Sequence, residues 1–148
     1  MNDDQLMLIA LEEARLGANS GEVPVGAVVA LEGQVLSRRH NEREALADPT
    51  SHAEILALRD AARAIGSWKL EQASLVVTLE PCPMCAGAAW ASRIGKVVYG
   101  TANITAGALG SLYHFGSDPR LNHEFSIVQG LRAKECSGLL IDFFKNQR

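Results

Sequence analysis

Apolar positions along the chain switch between two periods, and each switch marks an element. Leu6, Ile9, Ala10, Ala14 and Leu16 recur at helical spacing, and Gly17 to Gly21 close that segment. After Pro24 comes an unbroken apolar run over 25–31 (VGAVVAL), short enough to be a buried strand. Glu32 and Gly33 turn it back into residues 34–37, which completes a hairpin. The stretch 38–51 is polar, with Asp48 and Pro49 marking a turn. Ile55, Leu56, Leu58, Ala61, Ala62 and Ile65 then give one apolar face to a helix over 52–65. Residues 74–79 predict a central strand. Pro83 suits the first turn of a helix running to about residue 92, because its missing N–H is no loss there. Residues 96–99 predict another strand, ended by Gly100. The stretch 101–122 is rich in Gly, Ala, Ser and Asn and reads as a substrate-facing loop with some helix. A last strand over 125–128 and a terminal helix over 131–144 complete the chain.

The predicted order is α-β-β-α-β-α-β-loop-β-α. The hairpin is antiparallel, whereas strand-helix-strand units favour parallel, right-handed connections. The expected fold class is therefore α/β: three layers, with helices on both faces of a mixed five-stranded sheet. At 148 residues, with no repeat, low-complexity tract or long linker, one domain over 1–148 is expected. Apolar residues at 47% and charged residues at 21% fit an ordinary globular core. No apolar run approaches the roughly 18 residues of a membrane span. The acidic start (Asp3, Asp4) lacks the basic region and cleavage site of a signal peptide. A cytoplasmic protein with no membrane partner is the expectation.

Three cysteines cannot all pair within one chain, and two of them form Cys82-x-x-Cys85. Without an export signal, that spacing favours metal or redox chemistry over a disulfide framework. Thirty positions before Cys82 stands His52, followed by Ala53 and Glu54. One imidazole and two thiols can hold zinc by three ligands and leave a fourth position for water, which separates catalytic from structural zinc. Glu54 is placed to move that water's protons. At a helix start Cys82 and Cys85 share a face, and the helix terminus favours their thiolates. The order His-x-Glu, then Pro-Cys-x-x-Cys, matches the signature of zinc deaminases acting on nucleobases.

Each segment alone has another reading. Residues 51–54 also form a capping box, with Ser51 as cap and Glu54 at the third helical position. The Cys82/Cys85 pair also suits a thiol redox protein, or half of a zinc ribbon in a non-enzymatic binding domain. The ribbon needs a second Cys-x-x-Cys, and Cys136 is solitary. The two segments together favour a catalytic zinc. His40, His114 and His123 are then surface or substrate-side residues, Cys136 a buried small hydrophobe, and Trp68 and Trp90 packing residues.

Net charge is −3, but unevenly spread: residues 1–37 hold six acids against Arg15, while 38–148 carry a slight basic excess. Small basic clusters lie at Arg38, Arg39, His40 and Arg43, at Arg93 and Lys96, and near Arg120, Arg132, Lys134, Lys145 and Arg148. Such clusters suit phosphate contacts but equally a solvated surface.

Nearly the whole chain resembles the bacterial tRNA adenosine deaminases of the cytidine-deaminase-like superfamily. The resemblance is carried by 22–27 (EVPVGA), Asn41, 48–55 (DPTSHAEI) and 77–88 (VTLEPCPMCAGA). It continues through 92–94 (SRI), 97–100 (VVYG), 107–112 (GALGSL), Asn122, His123, Glu135, Cys136, Phe143 and Phe144. The metal motif marks the superfamily; the 107–112 segment with Asn122 and His123 narrows it. The resemblance implies a cytidine deaminase-like fold and a homodimer with one Zn2+ per subunit. It implies hydrolysis of the wobble adenosine of a tRNA anticodon stem-loop to inosine. His52, Cys82 and Cys85 would bind zinc, and Glu54 would shuttle protons. Asn41 would hydrogen-bond the flipped base, and Val25, Gly26, Ala27, Ala53 and Pro81 would border its pocket. After Gly100 the family shows an Asp-x-Lys-like pattern, where this chain has Asn103, Ile104 and Thr105. In the resemblance Asn103 borders the substrate's sugar-phosphate backbone, and losing the carboxylate implies looser discrimination between ribose and deoxyribose, or a different RNA. The competing reading is a deaminase of a free base or nucleotide, above all guanine deaminase, whose family shares Pro-Thr-x-His-Ala-Glu and Pro-Cys-x-Met-Cys.

Overall fold

The structure, a computed structural model, describes residues 1–147; Arg148 lies outside them. Helix α1 (Asp3–Asn19) opens the chain. Its first turn is closed by a reciprocal pair: Asn2 Oδ1 accepts from Gln5 N, and Gln5 Oε1 accepts from Asn2 N, both at 2.9 Å. The hairpin follows as β1 (Gly26–Leu31) and β2 (Gln34–His40), then α2 (Ala53–Ile65), β3 (Ala73–Leu79) and α3 (Pro83–Ala91). Strands β4 (Lys96–Thr101) and β5 (Ser126–Val128) and helix α4 (Ala133–Asn146) end it.

The five strands form one mixed sheet in the order β2-β1-β3-β4-β5. β1 is antiparallel to both its neighbours, whereas β3, β4 and β5 run parallel. Because strand side chains alternate, β1 and β3 are apolar on both faces. One face (Val28, Ala30, Val76, Val98) packs under Leu6, Met7, Ala10 and Leu11 of α1 and Cys136 of α4. The other (Ala27, Val29, Leu75, Val77, Val97) packs under Ala53, Ala57, Ala61, Ala86 and Ala89 of α2 and α3. The expected three-layer α/β architecture is the one observed. Among the described residues no helix is long and apolar enough to cross a membrane.

Four local expectations change. β2 runs on to His40, so Arg38, Arg39 and His40 belong to an edge strand rather than a polar loop. Their side chains are held by acids of the flanking helices: Arg38 Nε bonds Glu13 at 2.8 Å, Arg39 bonds Asp60 at 2.8 Å, and His40 Nδ1 lies 3.1 Å from Glu13. These three basic side chains are thus engaged by acids of the fold, whereas Arg43 is not among them. Gly100 continues β4 instead of ending it. A Cβ there would stand 2.7 Å from the Thr78 carbonyl oxygen and overlap the Cys136 sulfur, so glycine lets α4 lie close to the sheet. The stretch 101–122 contains turns and a single Leu109–His114 bridge but no helix. Finally, the capping box at Ser51 does not form. His52 is the N-cap residue of α2, and Ser51 Oγ instead donates to Asp48 Oδ2 at 2.8 Å.

Gly26 sets how closely α1 approaches the sheet. A Cβ would overlap the Ala10 carbonyl oxygen and stand 2.7 Å from Ala14 N. Gly26→Ala should therefore cost about 3 kcal/mol or more by denaturant unfolding. Gly138→Ala, in α4 with open space around the new methyl, should stabilise by about 0.5–1 kcal/mol.

Candidate metal centre and active-site cavity

Strands β2 and β3 are both antiparallel to β1, so they run parallel to each other and end at the same edge of the sheet. From that edge the chain enters α2 and α3, and the metal-binding motif sits at the two helix starts. His52 is the N-cap of α2; Cys82 is the N-cap of α3, with Pro83 next and Cys85 in the first turn. Asp48 shapes the approach to His52, accepting from Thr50 N and Thr50 Oγ1 as well as Ser51 Oγ, each at 2.8 Å.

His52 Nδ1 lies 3.7 Å from Cys82 Sγ and 3.5 Å from Cys85 Sγ, and one donor atom from each of the three lies within 4.8 Å of the others. Zinc–sulfur and zinc–nitrogen bonds at a tetrahedral angle would separate N and S by about 3.6 Å. The donor set therefore fits one zinc ion. Cys85 is fully buried, while His52 and Cys82 each keep a side open to the cavity.

Charge is arranged to match. A hydrogen bond from the Cys85 thiol, reinforced by His52, brings the Cys82 thiol down to about 4 despite burial. The bond to Cys82, together with burial, pushes Cys85 well above the ordinary thiol range. Two adjacent thiols cannot both ionise without a cation, so the metal-free pair keeps one proton. Its hydrogen bond to Cys82 raises the His52 imidazole. Glu54, 4% exposed, is pushed up to about 6 by burial, against the pull of its own backbone N–H and of His52. A carboxyl near 6 can accept and return a proton near neutral pH.

The cavity beside these groups is walled by Val23, Val25, Asn41, Arg43, Ala53, Leu79, Glu80 and Asn103, along with His52, Glu54 and Cys82. Asn41 is anchored by its backbone N–H to Val25 O at 3.1 Å, and its Oδ1 accepts from Arg43 N at 3.0 Å. Asn103 Oδ1 accepts from Ala106 N at 3.1 Å, closing a turn at the mouth. Of the residues expected to border a substrate, Val25, Asn41, Ala53 and Asn103 are in this wall. Gly26, Ala27 and Pro81 are not: Gly26 lies beneath α1, Ala27 is fully buried in the core, and the Pro81 carbonyl accepts from Ala108 N at 2.9 Å.

Val23, Arg43, Leu79 and Glu80 were not singled out as site residues from the sequence. Burial pushes the Glu80 carboxyl up, but bonds from Ser111, Asn103 and Leu109 outweigh it and hold the carboxyl below its ordinary value. The strings 22–27 and 77–88 held the signal for Val23, Leu79 and Glu80, whereas Arg43 stood only in a basic cluster that did not mark it as cavity wall. His40, His114 and His123 stand outside the cavity wall, His123 Nε2 lying 2.8 Å from the Ile94 carbonyl oxygen. Trp90 packs against the core as expected, but Trp68 is 59% exposed with Lys69 Nζ 5.6 Å from its ring centre.

A mixed sheet whose two helix starts share an imidazole, two thiols and a buried acid defines the protein, as a class, as a zinc-dependent deaminase. The family model for the cytidine and deoxycytidylate deaminase zinc-binding region matches residues 1–101, and the chain belongs to that family. It is 44% identical over 149 residues to a tRNA-specific adenosine deaminase of Bacillus subtilis (strain 168), covering 100% of this chain and 92% of that protein. Identity to a tRNA-specific adenosine deaminase of Haemophilus influenzae is 42% over 147 residues, covering 99% and 85%. A structure from studies of A-to-I editing by tRNA:A34 deaminases at the wobble position superposes with a TM-score of 0.88 at 41% identity, covering 92% of this chain and 99% of that one. A guanine deaminase structure from Bacillus subtilis gives 0.66 at 35% identity, covering 69% and 66%.

Cys82→Ala should lose stoichiometric zinc by elemental analysis, while Cys136→Ala, whose sulfur is buried under α4, should keep it. In metal-free protein the folded state holds the Glu54 proton between 4.5 and about 6, where the unfolded chain has released it. Wild type should therefore lose stability relative to Glu54→Gln as pH rises across that window. A difference in melting temperature that stays flat there would contradict the buried-acid assignment.

Proposed function

We propose that this protein hydrolyses adenosine to inosine at the wobble position of a tRNA anticodon, as a single-domain cytoplasmic enzyme working as a homodimer. The observation that carries the substrate is the near-full-length match to tRNA-specific adenosine deaminases at 42–44% identity. The guanine deaminase likeness is lower in identity and in coverage of both chains.

His52, Cys82 and Cys85 would hold the zinc ion. Bound there, zinc supplies Lewis acidity that brings the pKa of water toward neutrality. Glu54 takes a proton from the attacking water and delivers it to ring nitrogen N1, which makes C6 electrophilic. Oxygen adds at C6, and Glu54 then carries the second proton to the departing amine, so adenosine and water become inosine and ammonia. One carboxylate serves both transfers because N1 and the amino group lie on the same edge of the ring. Asn41, fixed by Val25 and Arg43, retains amide capacity to read the base, while Val25 and Ala53 supply apolar wall. The target base must leave its stack to reach this depth. Asn103 places a neutral amide at the mouth, beside the path of the substrate backbone.

Zinc-loaded protein incubated with total tRNA from its own cell should convert one anticodon adenosine to inosine, mapped by sequencing. Glu54→Gln should keep its zinc and lose at least about a thousandfold in kcat. Turnover of free guanine with none on any anticodon stem-loop would reverse the substrate assignment.

A further inference from the structure

Two carboxylates are almost wholly buried yet form no ion pair among the described residues: Glu22 and Glu80, each 1% exposed. Burying such a group without a counter-charge is costly unless its oxygens are fully hydrogen-bonded. Each is bonded to a different loop of the cavity wall. Glu22 Oε1 accepts from Glu44 N at 3.0 Å and Oε2 from Ala45 N at 2.8 Å, which fixes the loop bearing Asn41 and Arg43. Glu80 Oε1 accepts from Asn103 N at 3.1 Å and from Ser111 Oγ, while Oε2 accepts from Leu109 N and Ser111 N at 3.0 Å each. The loop 103–111 lies flush on that carboxylate, since a Cβ at Gly107 would run into it. Neither lip has a helix or strand of its own to stiffen it.

Resting on the proposed function, we propose that Glu22 and Glu80 are positioning residues that hold the two lips as a fixed, open mouth, admitting a base still attached to its nucleic-acid chain. A lid that closes over its substrate would have to exclude the chain on either side of the base. Here Asn41 and Arg43 on one lip and Asn103 on the other are preset by buried acids instead. Preset contacts lower the ordering cost of binding.

Glu80→Gln and Glu22→Gln test this by two readouts. An amide at position 80 can satisfy Leu109, Ser111 N and the Ser111 hydroxyl but must give up Asn103 N–H. With an anticodon stem-loop, each variant should raise KM about fivefold or more, keep kcat within about twofold and retain one zinc per chain. Amide hydrogen exchange should accelerate about tenfold over 103–111 in Glu80→Gln alone, and at 44–45 in Glu22→Gln alone. Should Glu80→Gln fail to fold, Ser111→Ala removes one of the same bonds and should speed exchange over 103–111. Unchanged exchange, loss of zinc, or a fall in kcat with KM unmoved would overturn the proposal. A wild-type protein inactive on every stem-loop would instead contradict the substrate reading, while exchange would still decide on the clamps.

Discussion

Everything in this site depends on two helix N-termini meeting at one edge of the sheet. His52 and Cys82 are thirty residues apart in sequence, yet their donor atoms are 3.7 Å apart. The cause is topological: β1 lies between β2 and β3 and is antiparallel to both, so the strands leading into α2 and α3 end together. Helix starts carry unsatisfied N–H groups and partial positive charge, and they suit thiolates better than any other part of a helix. The Cys82 and Cys85 pair shows what remains after that help. One sulfur ionises easily and the other resists, which is the state a divalent cation resolves.

Meeting at that distance requires helices packed close to the sheet, and side-chain size provides it. Ala53, Ala57, Ala61, Ala86 and Ala89 are all fully buried beneath α2 and α3. On the opposite face Gly26 and Gly100 do the same for α1 and α4. The small residues are thus part of the metal site's geometry, although none offers it a donor atom. Burial at the helix start also sets Glu54 apart, since the depth that hides it is what raises its carboxyl.

The framework and the metal donors were legible in the sequence because both are local patterns. Period switches marked most strands and helices, a turn marked β2 and Pro83 marked α3, while the His-x-Glu and Cys-x-x-Cys spacings marked the donors. Edge effects were harder to read. The end of β2 looked like loop because its charged side chains pair with helices distant in sequence, as Arg38 does with Glu13. Gly100 looked like a terminator because its neighbour across the fold, Cys136, has no signature in local spacing. The cavity wall was only partly legible for the same reason. Glu80 acts on residues 23 to 31 positions away, and Glu22 on residues 22 and 23 away. Such contacts leave no periodic trace.

The site thus separates into parts with distinct physical origins. Sheet topology brings the donors together, burial tunes the acid, and bonded loops shape the mouth. The first of these is central, and zinc K-edge X-ray absorption of the zinc-loaded protein tests it most directly. Two sulfur neighbours at about 2.3 Å and two nitrogen or oxygen neighbours at about 2.0 Å are expected, the latter one from His52 and one from solvent. Four sulfur neighbours, with the ion shared between cysteine pairs of two chains, or none at all, would contradict it.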